Sequence, residues 1–120
     1  MSHTFMLLYV TDAEKSALFY QDLLGREPQR SSPGFITLTL ENGFTIALWA
    51  KNGAVPAADF TGSSTELVLV IDGASKLDAT HADWAGRELK IVMEPTDLHF
   101  GRNFVALDPD GHRIRVVAPV

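Results

Sequence analysis

Cysteine is missing altogether from this chain of 120 residues. Its absence excludes disulfides, a thiolate nucleophile and Cys-ligated zinc, so the redox compartment has to be argued on other grounds. Long apolar runs are missing too. No uninterrupted stretch approaches the roughly 20 residues a helix needs to cross a bilayer, which excludes a helical span. The opening Met1-Ser2-His3-Thr4 carries no basic segment leading into an apolar one, so export is not expected and a cytoplasmic location is the default. Basic charge is scarce: 10 Lys and Arg face 15 Asp and Glu, for a formal net charge of -5, and the basic residues are scattered. Nucleic acids and anionic membranes are bound through clustered basic surfaces that displace counterions, so neither is an expected partner.

What is present is the composition of a globular domain, 46% hydrophobic and 21% charged, at a length that supports one core and not two independent ones. Residues 5–10 read as a first strand. Thr11 and Glu14 have the spacing of a capping box, and Ala13, Ala17, Tyr20 and Leu24 recur at helical spacing until Gly25, a left-handed cap. Residues 26–32 carry no clear pattern. Residues 35–40 and 44–49 read as strands joined by Asn42-Gly43, a pair that tolerates positive φ at both positions. Residues 51–64, rich in Gly, Ala, Pro and Ser, read as a connector. The pattern then restarts. Residues 66–71 alternate as a strand, Asp72 can cap, Ala74, Leu77, His81, Trp84 and Ala85 form a helical stripe, and Gly86 stops it. Residues 91–93 are a further strand candidate. A closing hairpin has strands over 103–107 and 112–117, turned by Asp108-Pro109-Asp110-Gly111.

The two halves match in order. Val10, Lys15 and Gly25-Arg26-Glu27 correspond to Ile71, Lys76 and Gly86-Arg87-Glu88 at one constant offset. Asn42-Gly43-Phe44-Thr45-Ile46-Ala47 corresponds to Asp110-Gly111-His112-Arg113-Ile114-Arg115 at a slightly larger one. A doubled βαβββ unit explains both.

Such a tandem pair, with Phe19-Tyr20 and Leu23-Leu24-Gly25 in its first half and Phe100-Gly101-Arg102 and Asp108-Pro109-Asp110-Gly111-His112 in its second, resembles the vicinal oxygen chelate superfamily. That superfamily includes glyoxalase I, extradiol dioxygenases and drug-binding proteins of the bleomycin-resistance type, and the resemblance covers nearly the whole chain. It implies an α+β fold, with two tandem βαβββ modules forming an open, cleft-bearing curved sheet in a single domain. The modules would span about residues 1–50 and 65–120. A homodimer whose cleft is completed by the partner chain is also implied.

Metal-dependent members place ligands at four equivalent strand positions, which fall here on Phe5, Ala47, Glu66 and Arg115. Only Glu66 can ligate a metal, and Arg115 brings a permanent cation that would repel one. No Ser/His/Asp arrangement stands in for the missing Lewis acid. The expectation is therefore no catalytic residue, no metal and no cofactor. The C-terminal run from Glu94-Pro95-Thr96 to Ile114-Arg115-Val116 is most similar to the metal-free, drug-binding branch that includes phenazine-antibiotic resistance proteins. This implies sequestration of a planar aromatic antibiotic or metabolite without turnover. The alternative is an enzyme of the same fold, with a displaced metal site built from His3 and Glu66, with or without His112, or acting on the ligand without metal. A module whose cleft receives a protein segment is a third.

Strand alternation nominates the binding residues. If Ala47 faces the cleft so does Trp49, and if Phe5 does so do Leu7 and Tyr9. Trp49 with Phe35 or Phe100 would grip a flat ring system, the small Ala47 would leave room for it, and Arg115 would pair with Glu66 or engage a ligand carboxylate or carbonyl. His99 lies beside Phe100 and is kept as a candidate. Trp84, on a helical stripe, reads as core. Arg102 is open between cleft and surface.

Overall fold

The computed structural model describes residues 4–59, 62 and 65–120. The expected connector lies partly outside these residues; its described part includes one turn of 3-10 helix at Lys51–Gly53. Among the described residues are eight strands and two α-helices, in the order β1 (Met6–Val10), α1 (Ala13–Leu24), β2 (Gln29–Ser32), β3 (Phe35–Thr39), β4 (Thr45–Ala50), β5 (Glu66–Val70), α2 (Ala74–Gly86), β6 (Lys90–Leu98), β7 (Gly101–Leu107) and β8 (Arg113–Pro119). This is an α+β chain of two βαβββ units, which divide at residue 62. None of the described helices is long and apolar enough to cross a membrane.

The first unit holds a mixed sheet of order β1-β4-β3-β2, with β1 parallel to β4 and the other pairs antiparallel. The second repeats it as β5-β8-β7-β6, with β5 parallel to β8. The repeat holds to the single residue: Leu7 pairs with Ala47 as Val68 pairs with Arg115. The hairpin turns repeat as well. In the first, Leu40 N–H donates to Phe44 O (2.8 Å) and Gly43 N–H to Leu40 O (2.9 Å); in the second, Asp108 N–H donates to His112 O (2.9 Å) and Gly111 N–H to Asp108 O (3.0 Å). Gly43 and Gly111 have φ of 89° and 86°. Only the glycine of Asn42-Gly43 takes positive φ, so the expected two-residue turn gives way to a longer one in which the Asn42 side chain accepts from Phe44 N–H (2.9 Å).

Local chemistry explains the helix ends and corrects three expectations. Asp12, and not Thr11, is the N-cap of α1. Its carboxylate accepts from Lys15 N–H (3.1 Å), while Glu14, expected to close the capping box, pairs instead with Arg30 on β2 (2.8 Å). At the other end Gly25 is left-handed, φ 68°, and donates its N–H to Gln21 O (2.8 Å). In α2 the cap is Gly73, with no side-chain bond, and not Asp72. Gly86 remains helical and the left-handed residue is Glu88, φ 66°, so α2 runs further than its glycine suggested.

Each core sits between a helix and one sheet face. In the first unit Val10, Ile36, Leu38, Ile46 and Leu48 are fully buried, as are Ala17 and Tyr20 of α1. In the second, Leu77 and Trp84 are buried on α2, and Trp84 and His81 both meet Phe104 of β7 edge-on, with ring centroids 5.3 Å apart. By strand parity Phe104, Ala106, Ile114 and Val116 therefore face α2, and the alternate residues occupy the opposite face.

Candidate functional site

The two sheet faces turned away from the helices carry six of the nine nominated residues: Tyr9, Phe35, Ala47, Trp49, Glu66 and Arg115. On the first, Trp49 pairs in register with Tyr9 on β1 and with Phe35 on β3. Paired residues on adjacent strands share a face, so three rings line up across three strands. The Tyr9 and Trp49 centroids are 6.3 Å apart at 34°, and those of Phe35 and Trp49 are 5.9 Å apart at 66°. All three side chains are half-buried. One residue pair along the same strands, Leu7, Ala47 and Thr37 continue the face, with Ala47 fully buried. Phe5 immediately precedes β1 and is 44% exposed.

On the second face Glu66 and Arg115 meet. Arg115 Nε donates to Glu66 Oε1 (2.8 Å) and its Nη2 to Oε2 (3.0 Å), a two-pronged pair, and its Nη1 donates to Asn103 Oδ1. Asn103, fully buried, is held in turn by a bond from its amide to Gly101 O (3.1 Å). Hydrogen bonding from Arg115 holds the Glu66 carboxyl below the ordinary carboxylate range, against the opposing effect of burial, and Arg113 adds to the lowering. Of the two roles open to Arg115, the structure shows the internal pair: its guanidinium is spent on Glu66 and Asn103.

His99 and Phe100 form the tight turn between β6 and β7, their rings edge-on at 5.2 Å. Trp84 is core, as expected. Arg102 pairs with Asp78 of α2 (2.8 Å) and Asp97 of β6 (3.1 Å), which makes it a brace between helix and sheet.

The four family positions do not suit a divalent ion. Phe5 and Ala47 offer no donor, Arg115 is cationic, and both oxygens of Glu66 are held by Arg115. The displaced alternative fares no better. His3 lies outside the described residues, His112 has the parity of Ile114 on the α2 side whereas Glu66 pairs with Arg113, and among the described residues no three His, Asp or Glu converge on a metal position. Sequence reasoning missed Asn103 and Arg113. Alternation from Arg115 would have found Arg113, and the repeat, which sets Asn103 opposite Phe35, would have found the other.

A family model described as the glyoxalase/bleomycin resistance protein/dioxygenase superfamily matches residues 1–116. The chain is 29% identical over 113 residues to the phenazine antibiotic resistance protein EhpR of Enterobacter agglomerans, covering 92% of this chain and 86% of that protein. The solution structure of protein ATC0852 from Agrobacterium tumefaciens is similar at a TM-score of 0.86 and 37% identity, covering 100% of this chain and 99% of that one. A glyoxalase/bleomycin resistance protein/dioxygenase from Nocardioides shares the fold at a TM-score of 0.82 and 21% identity, over 100% and 85% of the respective chains.

Proposed function

Because the chain belongs to the glyoxalase/bleomycin resistance protein/dioxygenase superfamily, we propose that it is a non-enzymatic binding protein that sequesters a planar aromatic antibiotic or metabolite of the phenazine type. The observation that carries this reading is the row of Tyr9, Trp49 and Phe35 on the sheet face opposite α1. Rings at these spacings offer a flat heteroaromatic guest offset or edge contacts of about 0.5–1.5 kcal/mol per pair beyond the area it buries. Ala47, where metal-dependent relatives would carry a carboxylate, keeps that face low and apolar. Similarity to a phenazine antibiotic resistance protein supports the choice of ligand class.

The chemistry of the second face supports binding without turnover. A metal would polarise a substrate oxygen or acidify a water; the Arg115–Glu66 pair does neither, since its charges neutralise each other and its donors and acceptors are engaged. Protection then works by mass action and demands tight binding with protein in excess of drug. In this reading the chain acts in the cytoplasm as a single-domain homodimer with one cleft per chain, completed by the partner, and resistance is its biological role.

Titration with phenazine-1-carboxylic acid, followed by Trp fluorescence, tests the proposal. The chain has 2 Trp, and buried Trp84 lies against Phe104, so the reporter is Trp49. Saturable quenching that disappears in Trp49→Phe is expected. No quenching, together with unchanged affinity in Trp49→Ala, would remove the idea.

A further inference from the structure

The three threonines on the face opposite α1 are unequally engaged. Thr37 and Thr39 on β3 and Thr45 on β4 share that face by register and parity. Thr39 and Thr45 are paired across the strands, and their hydroxyls bond to each other at 3.0 Å. Thr37 is placed differently. Its partner on β4 is Ala47, which is fully buried and has no polar side-chain atom, and its partner on β2 is Gln29, which is exposed. Among the described residues the Thr37 hydroxyl has no hydrogen-bond partner. Thr37 also lies beside the rings, two residues from Phe35 along β3 and about 7 Å away at ordinary strand rise. The row Leu7–Ala47–Thr37 runs alongside the row Tyr9–Trp49–Phe35 across the same three strands. A half-buried donor therefore closes the β3 side of an otherwise apolar row, next to the three rings.

We infer that Thr37 is a specificity-determining residue: it selects flat guests with an in-plane acceptor at the ring edge, as the ring nitrogen of an aza-aromatic provides, over carbocyclic guests of the same outline. The inference rests on the aromatic-ligand reading above and narrows it, and every residue it uses belongs to the first unit. A guest seated on the ring row covers Thr37 and brings its edge to the neighbouring row. The hydroxyl has one O–H to donate, and a ring nitrogen holds its lone pair in the ring plane, where a donor at the edge meets it. A C–H at the same place accepts nothing. The carbocycle then takes the hydroxyl out of water and leaves it unpaired, which costs more than one neutral hydrogen bond gains. Leu7 and Ala47 bring no competing donor to that row, so the discrimination falls on Thr37.

Calorimetric titrations of phenazine-1-carboxylate and anthracene-1-carboxylate, which share outline and charge and differ in their ring nitrogens, test this at pH 7 with wild-type protein, Thr37→Val and Thr37→Ser. Thr37→Val removes the hydroxyl and keeps the β-branched shape that suits a strand, whereas Thr37→Ser keeps the hydroxyl. Melting temperatures close to wild type identify folded variants. The ratio of phenazine to anthracene affinity is expected to fall about 5-fold or more in Thr37→Val, with phenazine binding weakened and anthracene binding unmoved or tighter. In Thr37→Ser it stays near the wild-type ratio. An unchanged ratio in Thr37→Val, whether the two affinities hold or fall together, would overturn the role of Thr37 while leaving the aromatic reading intact. Binding of neither compound to wild type would overturn both.

Discussion

Replacing Glu66 by Ala removes two short bonds, 2.8 and 3.0 Å, from the Arg115 guanidinium. It also removes the anion lying between Arg115 and Arg113. Asn103 remains as a neutral partner for Arg115, and two cations are left facing each other. Breaking a buried pair by deleting one partner costs about 3–5 kcal/mol, whereas an exposed pair is worth under about 1 kcal/mol. With only 19% and 23% of the two side chains exposed, the expected loss falls toward the buried end, about 2–4 kcal/mol. For a domain of this size that corresponds to a drop in Tm of roughly 10 °C. The double variant Glu66→Ala/Arg115→Met, which removes both charges, should recover part of the loss, because contacting residues do not behave additively. Acid should narrow the difference. The folded-state carboxyl of Glu66 is held below its ordinary value of 4.5, so its stabilising contribution is complete above that value and is lost as pH falls through the lower folded-state value. Thermal melts of wild type, single and double variants at pH 7 and pH 3 provide the assay. A Glu66→Ala melting temperature within about 2 °C of wild type at pH 7 would mean that the Glu66–Arg115 pair contributes no more than an exposed one.

Other outcomes follow from the same geometry. Gly101→Ala should destabilise by about 3 kcal/mol or more, since a Cβ there would lie 2.4 Å from Ala118 O at φ 148°; denaturant titration reads this directly. Asp12→Ala should cost about 1 kcal/mol through loss of the α1 cap, and Thr11→Ala less, which checks the assignment of the cap. Trp84→Ala should cost about 3–5 kcal/mol as a core deletion, whereas Trp49→Ala, on a half-buried position, should cost less stability and abolish ligand quenching.

The repeat was the most legible part of the fold, because it conserves residue type and register together. Gly43 and Gly111 occupy the same place in two turns of one geometry, and Leu7–Ala47 and Val68–Arg115 are equivalent pairs. Legibility failed where backbone satisfaction does not depend on side-chain hydrophobicity. All four residues of β2, Gln29–Ser32, are exposed, so no apolar alternation marks it. The nine-residue β6 runs through Pro95 and two register shifts, which break the period and left only residues 91–93 readable. Helix starts were misplaced by one residue at Thr11 and Asp72, where two adjacent positions offered capping chemistry or the necessary φ. Parity set Trp49 on the face of Ala47 and Tyr9 on that of Leu7, and only the strand register joins these two and Phe35 into one row. Parity could not say how the charges on the second face would divide, since the choice of Arg115 over Arg113 by Glu66 depends on side-chain reach and on the buried Asn103 that fixes the winner.

Binding without chemistry distinguishes a sequestering protein from an enzyme of the same fold. Equilibrium dialysis of chelator-treated protein against phenazine-1-carboxylic acid, with the mass of the recovered ligand measured, tests it most directly. Saturable binding of about one ligand per chain is expected, unaffected by chelation or added divalent ions, with the ligand recovered at unchanged mass. A ligand of altered mass, or binding that appears only when a divalent metal is restored, would contradict it.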